Sequence, residues 1–119
     1  MKDINILKNN NIDIDASLEI LGDIEMYDET LNDFLDEIDN KVNLLKEYNT
    51  SSDMPNYAIY AHSIKSDAKY LGFTKLAETA FNHEIKAKEN NSDYVSNDFN
   101  NFINEINEII KVSKEYLGK

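Results

Sequence analysis

One histidine of this chain stands in a context that favours chemistry over packing. It lies in the segment 61–65, which reads Ala-His-Ser-Ile-Lys inside a helical pattern. The chain has no cysteine, and this excludes disulfides, thiolate catalysis, zinc-thiolate sites and iron–sulfur clusters. An exposed imidazole is therefore the strongest nitrogen nucleophile that the sequence offers near neutral pH.

The position of His62 around its helix indicates that the ring points outward. Successive residues of an α-helix are rotated by ~100°, so with Tyr57 at zero an apolar seam lies within ~40°. That predicted seam consists of Tyr57, Ala61, Ile64, Ala68 and Leu71. On the same wheel His62 lies at ~140°, between Lys65 at ~80° and Ser66 at ~180°. The sequence therefore predicts an exposed histidine with lysines and small residues beside it.

Such a histidine has two interpretations. It is either an ordinary surface residue or a nucleophile for a phosphoryl group. The second needs an exposed ring, positive charge within one turn and small neighbours that let another protein approach. Lys65 and Lys69 would supply the charge, and Ala58 and Ser66 would be the small neighbours.

The second histidine receives the opposite interpretation. His83 falls in the apolar seam of its own helix, so it is predicted to be a partly buried structural residue. Glu84 lies ~100° further round, on the flank of that helix. From there its carboxylate could hydrogen-bond the His62 ring and fix its tautomer. An ordinary helix pair of Glu84 with Lys88 is the alternative.

Helices must position these residues. With three glycines, one proline and no alternating Val/Ile/Thr pattern, the sequence predicts an all-α fold. The expected helices cover residues 16–21, 24–48, 54–71, the stretch after 74, and 94–117. The first four begin at the N-caps Asp15, Asp23, either Asp53 or Ser52, and Thr74. Gly22 and Gly72 are expected to end the first and third helices. Four amphipathic helices with short connections predict an antiparallel four-helix bundle, and the short additional N-terminal helix would cover one end.

Composition excludes several classes of partner. The chain has 119 residues and a net charge of −11, which repels phosphate backbones and anionic lipids. No apolar run reaches the ~20 residues needed to cross a bilayer, and no signal-peptide pattern opens the chain. We therefore expect one cytoplasmic domain over residues 1–119, with residues 1–12 frayed or loosely packed, and neither nucleic-acid partners nor membrane insertion.

A known pattern matches these residues. Segment 61–65, with Gly72 ten residues after the histidine, resembles the signature His-x-x-Lys-x-x-x-x-x-x-Gly of histidine-containing phosphotransfer (HPt) domains. The stretch 12–23 is similar to the lead-in of that family. The resemblance implies a cytoplasmic helical bundle, without kinase activity, that accepts a phosphoryl group on His62 from a receiver-domain aspartate and passes it to another receiver. It also implies that Lys65 stabilises phosphoryl charge and that Gly72 ends the helix. Many members have glycine where this chain has Ser66.

A second likeness concerns Glu84. The segment 72–84 is similar to the phosphotransfer domain of chemotaxis kinases, in which a glutamate at this place orients the reactive histidine. This likeness implies the orienting role for Glu84, whereas the acidic lead-in at 12–23 fits the stand-alone or hybrid-kinase type better.

The resemblance also implies partners. These would be response-regulator receiver domains and a hybrid sensor histidine kinase, with the chain acting as a monomer. We expect no cofactor on this domain, because Mg²⁺ would be held by the carboxylates of the receiver. The expected docking face combines Ala58, Ile59, Ser66 and Lys69 around His62, with Ile59 at ~200° on the wheel as its apolar member.

Two other functions are considered. A helical adaptor would bind a receiver or kinase without transferring phosphate, but such a protein does not need His62 and Lys65, which are both present. A hydrolase or metal enzyme in the bundle core would need inward carboxylates with Glu-x-x-His spacing, and no Glu-x-x-His occurs.

Overall fold

The chain folds as a helical bundle. The computed structural model describes residues 2–119, and within that range it contains six helices and no strand. The helices are α1 (Ile4–Lys8), α2 (Ile14–Leu21), α3 (Ile24–Ser51), α4 (Met54–Leu71), α5 (Thr74–Lys88) and α6 (Ser92–Leu117). The predicted all-α bundle is confirmed, with one more short helix than the sequence pattern indicated.

The four long helices surround one apolar core. α4 packs most extensively on α5, while α3 contacts α4 and α6, and α6 contacts α5, so the four close into a ring. The fully buried aromatic side chains of this core are Tyr27, Tyr57, Phe73 and Phe102. The Tyr27 hydroxyl donates to the carbonyl oxygen of Leu71 over 2.9 Å, which ties the start of α3 to the end of α4.

The helix that carries His62 begins and ends as its sequence predicts. Asp53 is the N-cap of α4 and accepts a hydrogen bond from the backbone N–H of Asn56, and Pro55 lies in the first turn. Gly72 ends the helix in the left-handed conformation, with φ of 79°. The predicted seam is fully buried along its whole length: Tyr57, Ala61, Ile64, Ala68 and Leu71. The rotation of His62 relative to the core is therefore fixed by five buried residues.

Gly72 has a second task that spacing alone did not reveal. The backbone N–H of Asp13 donates to the Gly72 carbonyl oxygen over 2.9 Å, so the start of α2 lies directly on the turn between α4 and α5. A Cβ at Gly72 would collide with the Asp13 backbone, approaching its carbonyl carbon to 2.8 Å. Glycine is required there both for its positive φ and for this close approach.

The N-terminal segment differs from the prediction. Residues 1–12 were expected to be frayed or loosely packed, but α1 forms, capped by Asp3, and contacts α6. Leu7 is completely buried and Ile12 is 4% exposed. The expectation is wrong for the described part of this segment, because two apolar side chains anchor it to the core. Met1 lies outside the described residues.

Several helix boundaries also differ. Asp13, not Asp15, caps α2, so that helix begins two residues earlier than predicted. Thr74 is already the first helical residue of α5, so the N-cap is Phe73, whose phenyl side chain has no atom that can accept a capping hydrogen bond. At the remaining ends, α3 continues past 48 to Ser51, and α6 begins at Ser92 rather than 94. The apolar periodicity does not determine these boundaries, because packing and cap geometry decide at which residue a helix begins or ends.

Candidate functional site

His62 lies on the outer face of α4, in the middle of the α4–α5 pair. Its side chain is 56% exposed, whereas the preceding residue, Ala61, is completely buried. The outward orientation predicted from the helical wheel is thus confirmed. The ring is open to an approaching molecule on one side and anchored to the protein on the other.

The anchor is the carboxylate of Glu84, which comes from α5. His62 Nδ1 lies 2.9 Å from Glu84 Oε2. An ionised carboxylate only accepts hydrogen bonds, so the proton of the neutral ring belongs on Nδ1. The other nitrogen, Nε2, then carries the lone pair. The structure brings together the two residues that the sequence paired.

Glu84 is nearly buried and is surrounded by cations. Its side chain is 4% exposed, and besides the His62 ring it contacts Lys88 Nζ at 2.8 Å on Oε2 and Lys65 Nζ at 2.9 Å on Oε1. Burial alone would raise the pKa of Glu84, but the contacts with Lys88, Lys65 and His62 outweigh it and lower the pKa to about 2. The carboxylate is therefore ionised at any physiological pH. The helix pair of Glu84 with Lys88 and the contact with His62 exist together, although the sequence presented them as alternatives.

Lys65 is less accessible than its position on the wheel indicated. Its side chain is only 14% exposed, because Nζ pairs with Glu84 Oε1 and lies 5.2 Å from the centre of the Phe81 ring. A cation over an aromatic face is attracted by the ring quadrupole. In this structure the lysine charge is thus held beside the histidine rather than extended into solvent.

A groove of about 570 Å³ opens next to His62, between the first turns of α4 and the last turns of α5. Its walls include the predicted docking residues Ala58 and Ile59 together with Lys88. Ile59 is 60% exposed, as the wheel predicts, but Ala58 is 5% exposed and forms the floor. The expectation that Ala58 lies on the accessible surface is therefore corrected, because it belongs to the buried side of α4.

The other predicted docking residues lie toward the end of α4. Lys69 is exposed and Ser66 is partly buried. Lys69 lines a second groove, of about 360 Å³, that also includes Gly72 and Phe81. His62 does not line this second groove, which the start of α2 also lines.

His83 is buried, as predicted, and it bridges three helices. It is completely inaccessible, and its Nε2 lies 2.8 Å from Asp98 Oδ2 on α6. Since that carboxylate is an acceptor, Nε2 donates, and Nδ1 accepts from the Tyr57 hydroxyl of α4 over 2.9 Å. Burial lowers the pKa of His83, although the hydrogen bond with Asp98 opposes the shift. The neutral ring holds α5 in place immediately beside Glu84.

Sequence reasoning missed several residues around the site. Phe81 and Ile85 are 45% and 36% exposed on α5. Their four-residue spacing on the flank that also carries Glu84 and Lys88 is the signal that could have found them. Asp98 had no usable signal, because its contact with His83 depends on how α6 packs against α5.

A family model matches the part of the chain that contains this site. The model described as Hpt domain matches residues 29–111, more than half of the chain. The chain belongs to the Hpt domain family. The match spans His62, Lys65 and Glu84, and it leaves α1 and α2 outside. No match was found to a curated protein or to a solved structure.

Membership of the Hpt family has a general functional meaning. It implies histidine phosphotransfer in phosphorelay signalling and interaction with receiver domains or kinases. Within residues 2–119, none of the helices combines the length and the apolar character that crossing a membrane requires.

Proposed function

We propose that this Hpt domain accepts a phosphoryl group on Nε2 of His62 from the aspartyl phosphate of a receiver domain and passes it to a second receiver. The observation that carries the proposal is the 2.9 Å contact between His62 Nδ1 and Glu84 Oε2. It supports a proton on Nδ1, so that in the neutral ring Nε2 has the lone pair for attack.

The proposed reaction balances on these atoms. The Nε2–P bond forms while the bond between phosphorus and the aspartyl oxygen breaks, and the carboxylate leaves with the bonding electrons. The ring keeps its proton on Nδ1 and becomes positively charged, while the phosphoryl group stays dianionic. The ionised Glu84 faces that new positive charge at 2.9 Å, so it stabilises the product as well as the reactive tautomer.

Positioning accounts for most of the proposed catalysis, because phosphoryl transfer through a loose transition state needs alignment and charge neutralisation. In this proposal Lys65 supplies positive charge for the phosphoryl oxygens from the adjacent turn of α4. Mg²⁺ is held by the receiver's carboxylates, and this domain contributes no cofactor.

The docking face in this proposal is the α4–α5 surface around His62. Ile59 and the groove next to His62 supply apolar area, and Lys69 with Ser66 supplies polar contacts. A hybrid sensor histidine kinase and a response regulator are the proposed donor and acceptor. The proposed setting is the cytoplasm, and one copy of the chain is sufficient for the reaction.

The proposal is tested by incubating the domain with phosphorylated receivers. We expect label on the domain that is acid-labile and base-stable, and its loss in His62→Gln. Binding to receivers without label would favour the adaptor function instead. Failure to receive phosphate from every receiver encoded by the source organism would overturn the proposal.

A further inference from the structure

Glu84 contacts more cations than it needs in order to orient the His62 ring. Lys65 of α4 and Lys88 of α5 both pair with its carboxylate, in addition to the His62 ring. Lys65 has a part in the proposed reaction. Lys88 lies outside the motif, so its contact calls for a separate explanation.

The two lysines are held differently. Lys88 Nζ shares Oε2 with the His62 ring at 2.8 Å, and its side chain is 65% exposed. Lys65 Nζ lies 2.9 Å from Oε1, a buried atom without a hydrogen bond among residues 2–119, and the Lys65 side chain is only 14% exposed. Both contacts are ion pairs, and they differ in exposure: Lys65 is mostly buried, whereas Lys88 is mostly open to solvent.

The proposed reaction creates a competition for Lys65. Its charge is needed by the phosphoryl group at Nε2, whereas in this structure it is paired with Glu84. A carboxylate that is 4% exposed holds its counter-ion strongly unless another cation replaces it. Lys88 is placed to be that replacement. It lies one turn after Glu84 on the same helix, with the acidic residue N-terminal to the lysine, the more favourable order for such a pair.

We propose that Lys88 is a positioning residue that stays paired with Glu84 as its counter-ion throughout the reaction. Because Lys88 keeps the Glu84 charge balanced, Lys65 can leave Glu84 and contact the phosphoryl group. This inference rests on the proposed phosphorylation of His62. Lys88 itself stays on Oε2 beside Nδ1, and it acts on the reaction through Glu84 and Lys65.

The test is a double-mutant cycle with Lys65→Met, Lys88→Met and the double variant. Potassium phosphoramidate is the phosphoryl donor, so no receiver is needed. Its P–N bond breaks, ammonia leaves, and the Nε2–P bond forms. Phosphohistidine formation is followed by ³¹P NMR. Lys86→Met is the matched control, because Lys86 is also on α5 but pairs with Glu89. Lys88→Arg keeps the charge, and circular dichroism checks the fold of every variant.

We expect Lys88→Met to slow phosphorylation about three- to tenfold, an effect that lies within the range of coupling energies in one ion-pair network. Lys88→Arg and Lys86→Met should react at the wild-type rate. The deciding result is that Lys88→Met causes no further loss once Lys65 is methionine, because there is then no Lys65 to release.

Two results would overturn the inference while wild-type protein is phosphorylated normally. One is a wild-type rate for Lys88→Met. The other is an equal loss with and without Lys65, which would indicate direct contact of Lys88 with phosphate or a purely structural role. Absence of phosphate on His62 of the wild-type protein would instead overturn the proposed function, and this inference with it.

Discussion

At the scale of single residues, the reactivity proposed for His62 depends on a carboxylate from another helix. Glu84 fixes which nitrogen carries the proton, and it is ionised because the cations around it outweigh the effect of burial on its pKa. In the proposed reaction these residues have separate tasks. Glu84 would orient the ring, and the lysines would balance the negative charge of Glu84 and of the phosphoryl group.

This division predicts different effects for two substitutions of Glu84. Glu84→Ala removes the acceptor and should slow phosphotransfer at least about tenfold, because the ring loses both its preferred tautomer and its counter-charge. Glu84→Gln retains an acceptor oxygen and should lose less. Transfer rates from a phosphorylated receiver give the comparison, with helical content and receiver affinity measured in parallel. A wild-type rate for Glu84→Ala would limit Glu84 to a structural ion-pair partner of the two lysines.

The residue pattern of α4 could be predicted from sequence because rotation along a helix is fixed at ~100° per residue. That rule identified the seam and the outward direction of His62. It could not reveal that Lys65 is only 14% exposed, since this depends on Phe81 and Glu84 arriving from α5. Nor could it choose between an ion pair of Glu84 with Lys88 and a contact of Glu84 with His62, because the same carboxylate makes both.

At the scale of helices, the turn between α4 and α5 sets the register of the two helices that form the site. Gly72 ends α4, and α2 begins against it through Asp13. Caps and terminators with a clear side-chain signature, such as Asp53 and Gly72, could be predicted. The N-cap Phe73 and the buried contacts of α1 could not, because tertiary packing decides them.

Gly72 should therefore tolerate no side chain. Gly72→Ala would strain a left-handed backbone and press Cβ against Asp13, so we expect a loss of about 3 kcal/mol or more in the free energy of unfolding. Gly22→Ala is the control. It also has a positive φ, 99°, but its added Cβ meets open space, and it should cost only about 1–2 kcal/mol. Urea denaturation measures both, and equal losses would exclude the proposed close approach.

The Tyr57–His83–Asp98 bridge predicts a pH dependence of stability. The folded protein keeps His83 neutral with a lowered pKa, while the unfolded chain takes up a proton near the ordinary value of about 6.5. Stability from this group is therefore present above that pH and is lost as the pH falls below it. Asp98 and Glu105 oppose the shift and reduce its size.

His83→Gln tests this dependence, because glutamine can donate to Asp98 and accept from Tyr57 without titrating. We expect it to cost about 1–2 kcal/mol at pH 8 but to weaken the fall in unfolding free energy between pH 8 and pH 5. Urea unfolding at several pH values provides the measurement. An unchanged pH slope would assign the dependence to other groups.

At the scale of the whole molecule, charge is distributed unevenly around the bundle. α3 contains eight acidic residues and two lysines, whereas α4 and α5 together contain three acidic residues and five lysines. A receiver presents an acidic phosphorylation pocket, so its approach is least opposed on the α4–α5 face. The overall charge of −11 could be read from composition, but this polarity follows from the arrangement of the helices.

Docking on that face predicts a specific role for Ile59. Ile59→Gln should weaken receiver binding by about 1 kcal/mol or more, because its side chain is 60% exposed beside the groove next to His62. Met26→Gln is the control, at a methionine of α3 that is 45% exposed. Affinity is measured by titration calorimetry. Phosphorylation by phosphoramidate should be unchanged in both variants, and equal loss of affinity would argue against docking at this groove.

The most direct test of the central claim is the identity of the nitrogen that carries phosphorus. The protein has two histidines, so ¹⁵N-histidine labelling gives two rings, with the buried His83 as the internal reference. After reaction with a phosphorylated receiver, we predict a ³¹P–¹⁵N coupling to Nε2 of His62, a proton retained on its Nδ1 and an unchanged His83 ring. Phosphorus on Nδ1 of His62, or on His83, would contradict the account.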